Sequence, residues 1–286
     1  MRHAYLILAH NEFEVVQRLI SAIDDIRNDI FIHWDAKVKI IPTISVSYSN
    51  LYILSNRINV CWGDISVVEA EFELFKTAIQ TSDYEYFHLL SGVDMPLKSQ
   101  DYIHRFFEMN NGKEFIGYST YDTSAELDRK VKMWHLFSKR FKSNNSIIRI
   151  LRAVFLRVQY LIGYKRNNNI EFKKGTQWLS ITNSLAKYFI KNWGEIKHIY
   201  SHTFCSDEIV LQTLCWNSLF RNNIYDLSNE GKGCLRAIKW NKNIIEDWNK
   251  DEIMELVESE LLFARKFSSK QLDIIDLIVK LLKNDE

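Results

Sequence analysis

The sequence predicts an α/β protein, a Rossmann-like and mostly parallel sheet flanked by helices in a single domain. A β-α-β signature comes first: Ala4 to Ala9 is a near-continuous apolar run, Phe13 to Ile26 has helical spacing, and Ile30 to Trp34 is apolar again. Strands joined through a helix pair in parallel. The strand-like runs end in polar clusters, His10-Asn11, His33-Trp34-Asp35, Trp62-Gly63-Asp64 and Ser91-Gly92-Val93-Asp94, and open sheets of this class bind ligands beyond the carboxyl ends of their strands. With 2 prolines and 9 glycines in 286 residues, no linker-like or low-complexity stretch divides the chain.

The remaining elements follow from the same periodicities. Leu51 to Leu54 reads as a short strand, Ser66 to Ile79 as a helix with Val67, Ala70, Leu74 and Ala78 on one face, and Tyr84 to Leu90 as a central strand. An apolar stretch at Phe115 to Tyr118 precedes a strand around Trp178 to Ile181, helices near Asp207 to Leu219 and Asp251 to Glu258, and a last helix from Lys270 to Leu282. The opening MRHAYLILAHNEFEVV meets His10, Asn11 and Glu12 too soon for a signal peptide or a membrane span, and reads as the first core strand.

Composition narrows the function. Hydrophobic residues make up 47% of the chain, ample for a core, and 37 basic residues against 36 acidic ones leave a formal charge of +1. Affinity for an anion therefore has to come from local patches, and no nucleic-acid partner is expected. Cys61, Cys205, Cys215 and Cys234 are too scattered for a disulfide framework or a Cys/His metal site, which suits a reduced compartment. Neither Gly-x-Gly-x-x-Gly nor Gly-x-x-x-x-Gly-Lys-Ser/Thr occurs, so the common dinucleotide and P-loop phosphate cradles are missing.

The middle is basic: from Arg129 to Ile170 every ionised side chain is Lys or Arg. On a helix, Arg149, Arg152, Arg157 and Gln159 share about half of the circumference, while Ile147, Ile150, Leu151, Val154, Phe155, Val158, Leu161 and Ile162 fill most of the rest. Two readings stand. One is a core helix with a solvated basic face; the other is a segment, residues 139–166, that meets an anionic membrane surface or a partner's groove.

Two later segments carry charge beside apolar residues. Asp207 and Glu208 follow Ser206, which by itself is ordinary helix capping with acids in the positive first turn. Arg265-Lys266 by itself is a solvated turn. Their order along the chain says more: WGDISVVEAE (Trp62 to Glu71), HLLSGVDMPLKS (His88 to Ser99), GTQWLSIT (Gly175 to Thr182), SDEIVLQTL (Ser206 to Leu214) and LLFARKF (Leu261 to Phe267). In that order the chain resembles the core-2/I-branching β-1,6-N-acetylglucosaminyltransferase and peptide O-xylosyltransferase family, from His3 to Phe267.

The resemblance implies a GT-A glycosyltransferase fold and transfer of a sugar, N-acetylglucosamine or xylose, from a UDP-sugar to an acceptor hydroxyl with inversion. It implies no divalent metal and no other cofactor; most GT-A enzymes hold their metal with Asp-x-Asp, a pattern that occurs nowhere here. By motif match Glu208 is the general base beside Asp207, and Lys266 with Arg265 neutralises the diphosphate. A second cation is expected between them, with Arg236 and Lys242 as candidates. Asp94 is expected to orient the donor sugar or to cap the turn that follows it. His10, Asp35 and Lys37 lie where uridine binds in this fold, and Asp35 either accepts from uracil or ribose or serves as a turn residue. Trp62 and Trp178 are candidates to stack on sugar faces, with Gly63 and Gln177 beside them.

In these terms residues 1–120 form the nucleotide-sugar half, 121–170 a basic insertion facing membrane or acceptor, and 171–286 the acceptor and catalytic half. The family's animal members are rich in disulfides and carry membrane anchors. Neither is expected here, which points to a bacterial-type enzyme in the cytoplasm, peripheral on the inner face of the cell membrane, using a glycan or lipid-linked glycan acceptor for surface polysaccharide. The competing expectation is a catalytically inactive relative that binds glycan or nucleotide as an assembly subunit.

Overall fold

Strand β1 (His3–Ala9) lies at the centre of a five-stranded sheet, between β2 (Asn28–Trp34) and β4 (Tyr86–Ser91), and is parallel to both. Outside β2 runs β3 (Asn50–Ile53), again parallel, and β6 (Leu179–Thr182) closes the other edge antiparallel to β4. The order β3-β2-β1-β4-β6 is the doubly wound, mostly parallel arrangement expected from the β-α-β signature. The structure, a computed structural model, describes residues 1–242 and 244–284.

All residues of β2 and β4 are buried. This explains their unbroken apolar runs, because a parallel strand covered on both faces has no solvent side on which to place alternate polar residues. One cover is α1 (Phe13–Ile23), which buries Val15, Val16, Leu19, Ile20 and Ile23 and packs against the last helix, Leu272–Asn284. The other is α2 (Ser66–Thr81), whose Val68, Ala70, Leu74, Phe75 and Ala78 meet the sheet and a following helix, Asn183–Lys191. The inward stripe of α2 is one position off the expected one at its start: Val68 is buried where Val67 was expected, and the carboxylate of Glu71 goes inward with it.

A second small sheet sits at the carboxyl end of β4. There β5 (Asp94–Pro96) pairs antiparallel with Phe263–Arg265, which in turn pairs parallel with Arg236–Ile238. This sheet carries the Ser-Gly-x-Asp and Phe-Ala-Arg-Lys-Phe motifs side by side, with Arg265 directly opposite Asp94.

Three expectations are corrected. The helix expected over Asp207 to Leu219 is shorter, Val210–Trp216, and a separate 3-10 turn, Ser206–Glu208, precedes it. Ser206 does not cap: it lies inside the turn, whose N-cap position is the left-handed Cys205 (φ 51°), and its buried hydroxyl has no partner. At the apolar stretch Phe115 to Tyr118, single bridges tie Glu114 to Ile224 and Phe115 to Ser180. The basic helix, Ser146–Leu161, is no core helix, since Ile148 and Gln159 alone among its residues are buried.

Candidate active site

Because β6 runs antiparallel to β4 with Leu179 opposite Leu89, the segment entering β6 lies beside the carboxyl end of β4, where a sheet of this type exposes strand-end groups. A cleft of about 640 Å³ opens there, within the usual range for a ligand site. Its wall brings together Gln177, Trp178, Asp207, Glu208, Lys242 and Arg265, from four separate stretches of sequence.

Glu208 stands on one wall. Lys130 donates to its Oε2 at 3.3 Å and the Lys174 ammonium lies 3.7 Å away, while Glu126 pairs with the same two lysines at 2.7 and 3.2 Å. Burial depresses the affinity of both ammonium groups for their protons, but the surrounding carboxylates, Glu208 foremost, outweigh it and hold both lysines charged. The backbone is pinned as well: the Gly175 N–H donates to the Glu208 carbonyl at 3.0 Å. Only glycine fits at 175, since a Cβ there would lie 1.8 Å from the Gly117 carbonyl oxygen.

Beside Glu208 the site is acidic. Asp207 is pushed up to about 7 by burial and by the adjacent Glu208 charge, and its Oδ1 has no partner. Burial, with a smaller contribution from Asp207, also raises the Glu71 carboxyl well above its ordinary range, and Gln177 donates to Glu71 Oε1 at 2.6 Å. Two carboxyl groups kept from ionising together with a third beside them is an arrangement typical of proton-handling sites.

Arg265 also lines the cleft. Its Nη1 donates to Asp94 Oδ1 at 3.0 Å and to Ser91 Oγ at 2.7 Å, its guanidinium lies 4.3 Å from the Trp178 ring centre, and its Nε has no partner. Asp94 is therefore spoken for. It is 1% exposed, accepts from the Ser91 N–H at 2.9 Å and from its hydroxyl at 2.6 Å, and faces Arg265 rather than the cleft, so it holds the arginine and caps its own turn. Burial pushes its carboxyl up, opposed by the Arg265 charge and the Ser91 hydrogen bonds. Trp178 is 7% exposed with one face under Arg265, which leaves it a support for the cation rather than an open sugar platform. Trp240, 57% exposed on the cleft wall, has the open ring instead.

Of the two candidates for a second cation, Lys242 is exposed and lines the cleft. Arg236 is not available: at 1% exposure it gives its donors to the Leu179 carbonyl (2.6 Å) and the Cys234 carbonyl and lies over the Phe263 ring. Lys266 is half-exposed just past the strand that carries Arg265, its ammonium 3.9 Å from Asp247, and it does not line the cleft.

The strand ends on the donor side are arranged differently. Asp35 is buried, accepts from the Lys37 N–H at 2.8 Å and pairs with the Lys37 ammonium at 2.7 Å, so these two close a turn on each other, with exposed His10 near by at the end of β1. Trp62 is 52% exposed, edge-on to Phe204 at 5.4 Å, with the Lys142 ammonium 4.8 Å above its ring. Gly63 makes no side-chain contact of its own. Its left-handed φ of 76° and its carbonyl, which accepts from the Cys205 N–H at 2.9 Å, anchor the turn that leads into Glu208.

Lys130, Lys174, Glu126, Glu71 and Trp240 were not singled out from the sequence. Lys174 immediately precedes GTQWLSIT, and Glu71 closes WGDISVVEAE, so both stood at the edge of a motif. Lys130 was hidden in the basic run, where one inward lysine looks like its solvated neighbours.

Fold and cleft together define an α/β protein whose cleft at the strand ends is lined by a carboxylate, Glu208, and a fixed cation, Arg265. Residues 3–262 match the Core-2/I-Branching enzyme family model. The chain belongs to that family. It is 22% identical to Xylosyltransferase sqv-6 of Caenorhabditis elegans over 89% of this chain and 33% of that protein, and 21% identical to Xylosyltransferase 2 of Rattus norvegicus over 96% and 33%. It is 24% identical to a human beta-1,3-galactosyl-O-glycosyl-glycoprotein beta-1,6-N-acetylglucosaminyltransferase over 83% of this chain and 54% of that one. The chain thus spans about a third of the length of the xylosyltransferases it matches.

Proposed function

We propose that the chain is an inverting, metal-independent glycosyltransferase that moves N-acetylglucosamine or xylose from a UDP-sugar to an acceptor hydroxyl. The observation that carries this reading is one cleft whose lining includes Glu208 together with Arg265 and Lys242. Membership of the Core-2/I-branching family and relatives named for these two transfers support the sugar class.

In this mechanism Glu208 takes the acceptor hydroxyl proton as the oxygen attacks the anomeric carbon. The bond from that carbon to the diphosphate oxygen breaks on the opposite face, and UDP leaves with the bonding pair. Arg265 and Lys242 face the developing diphosphate charge, and Lys266 on the adjoining turn adds to the positive potential. Fixed cations in a partly dry site need no reorganisation as charge develops. Asp94 is paired with Arg265 and accepts from Ser91, which supports the metal-independent reading. An acceptor entering the site displaces Lys130 or Lys174 from Glu208. The setting that fits this reading is bacterial surface glycan synthesis at the inner face of the membrane, on a glycan or lipid-linked acceptor.

The test is Glu208→Gln. Turnover with UDP-N-acetylglucosamine or UDP-xylose falls roughly 10²- to 10⁴-fold while UDP affinity is kept. Unchanged turnover removes Glu208 from the mechanism; UDP binding without turnover in the parent chain itself, across both donors, favours the inactive relative.

A further inference from the structure

The helix over Ser146–Leu161 is held to the body along one side only. Gln159 accepts from the Trp134 N–H at 2.8 Å and donates to the Trp134 carbonyl at 2.9 Å, Arg152 donates to the Phe141 carbonyl at 3.2 Å, and Ile148 is buried beside them. Away from this seam seven aliphatic side chains stand in solvent: Ile147 (68% exposed), Ile150 (60%), Leu151 (47%), Val154 (55%), Val158 (47%), Leu161 (75%) and Ile162 (71%). At about 100° per residue they fall within an arc of about 120°, a continuous stripe about 24 Å long.

The charge around the stripe is of one sign. Arg157 is exposed at its edge, and Lys139, Arg140 and Lys142 are exposed where the chain enters the helix, while Arg149 is exposed on the far side. No acidic residue occurs between Arg129 and Ile170, and among the described residues none of these five cations has an ion-pair partner. The stripe is aliphatic, without the aromatic anchors that concentrate binding energy in protein interfaces. An exposed apolar arc with a wholly cationic border complements an anionic lipid surface, with side chains among the acyl chains and cations at the headgroups. No described helix is long and apolar enough to cross a membrane.

We infer that this helix lies in the plane of an anionic bilayer and docks the protein there with the cleft mouth alongside. The connection to the site is short. Phe141, between the basic entry and the helix, packs on Phe204 at 4.6 Å, and Phe204 leads directly into the Ser206–Glu208 turn; Lys142 covers Trp62 at the same rim. Membrane docking stands independently of sugar transfer, so the two readings fail separately.

The experiment is co-sedimentation of the full chain with phosphatidylcholine vesicles and with vesicles also containing phosphatidylglycerol. The protein pellets with the anionic vesicles and far less with the neutral ones. Val154→Asp with Val158→Asp abolishes pelleting, and Arg140→Gln with Arg157→Gln lowers it about twenty-five-fold, at about fivefold per charge. These side chains are exposed, so both variants melt with the parent. Equal pelleting of parent and aspartate variant, no pelleting of the parent, or a concentration-dependent dimer without lipid that Val154→Asp dissolves overturns the inference; the last assigns the stripe to a second copy of the chain.

Discussion

Asp35 and Glu208 are acidic residues in turns on the ligand side of the same fold, and each has lysine partners. Asp35 pairs with Lys37, two residues away, so its charge closes its own turn. Glu208 pairs with Lys130 and Lys174, distant in sequence, and is itself on the wall of a cleft. A local pair can form in almost any loop and needs no ligand to justify it. Bringing two lysines and a second carboxylate to one point from three segments requires the fold, and leaves the group open to what enters the cleft. Long-range convergence is therefore the better mark of a working residue here.

The comparison is broken most severely at Glu208. If it is the base, Glu208→Gln loses roughly 10²- to 10⁴-fold in turnover and Asp35→Asn loses none of that order, when both are assayed with one donor and acceptor. Comparable losses would mean that the donor-side turn works in the chemistry. The backbone support is next. Gly175→Ala forces the loop that anchors the Glu208 carbonyl away from Gly117 and lowers stability by about 3 kcal/mol, read by denaturant unfolding; an unshifted midpoint would show that the close approach is soft.

Asp207 sharpens the contrast through pH. Its carboxyl is raised to about 7 in the fold from about 3.9 in an unfolded chain. The folded state therefore keeps a proton that the unfolded state has released, and stability from this group is full below about 4 and is lost as pH rises through about 7, at up to about 1.4 kcal/mol per unit. Asp207→Asn removes that loss. Its melting temperature exceeds the parent's at pH 8, with the gap closing toward pH 5; a gap independent of pH would contradict the assignment. The smallest effect is at Asp35: Asp35→Asn changes UDP affinity by less than about threefold, as expected for an exposed-partner turn pair, and a larger loss in a direct titration would restore it to the donor site.

The sheet was legible because both covers demand apolar strands, and buried runs such as Ile30 to Trp34 and Tyr84 to Leu90 announce themselves. The motifs around Glu208, Gln177, Trp178 and Arg265 were legible as chemistry. Their division of labour was not, because whether Trp178 meets a sugar or an arginine, or whether Arg236 faces a cleft or two backbone carbonyls, depends on strand register between segments far apart. The basic helix shows the same limit from the other side. Amphipathicity gives two faces but not which is turned inward, and only packing shows that its aliphatic face is outside.

The central claim is that a fixed cation, Arg265, held by Asp94 and Trp178, does the work of a metal on a UDP-sugar. Calorimetric titration of UDP in EDTA, with the parent and with Arg265→Lys, tests it most directly. The account predicts that the parent binds UDP without added metal and that the lysine variant, which keeps the charge but loses the planar fork, binds about tenfold more weakly. Binding that appears only with Mn²⁺, or equal affinity in the two proteins, would contradict it.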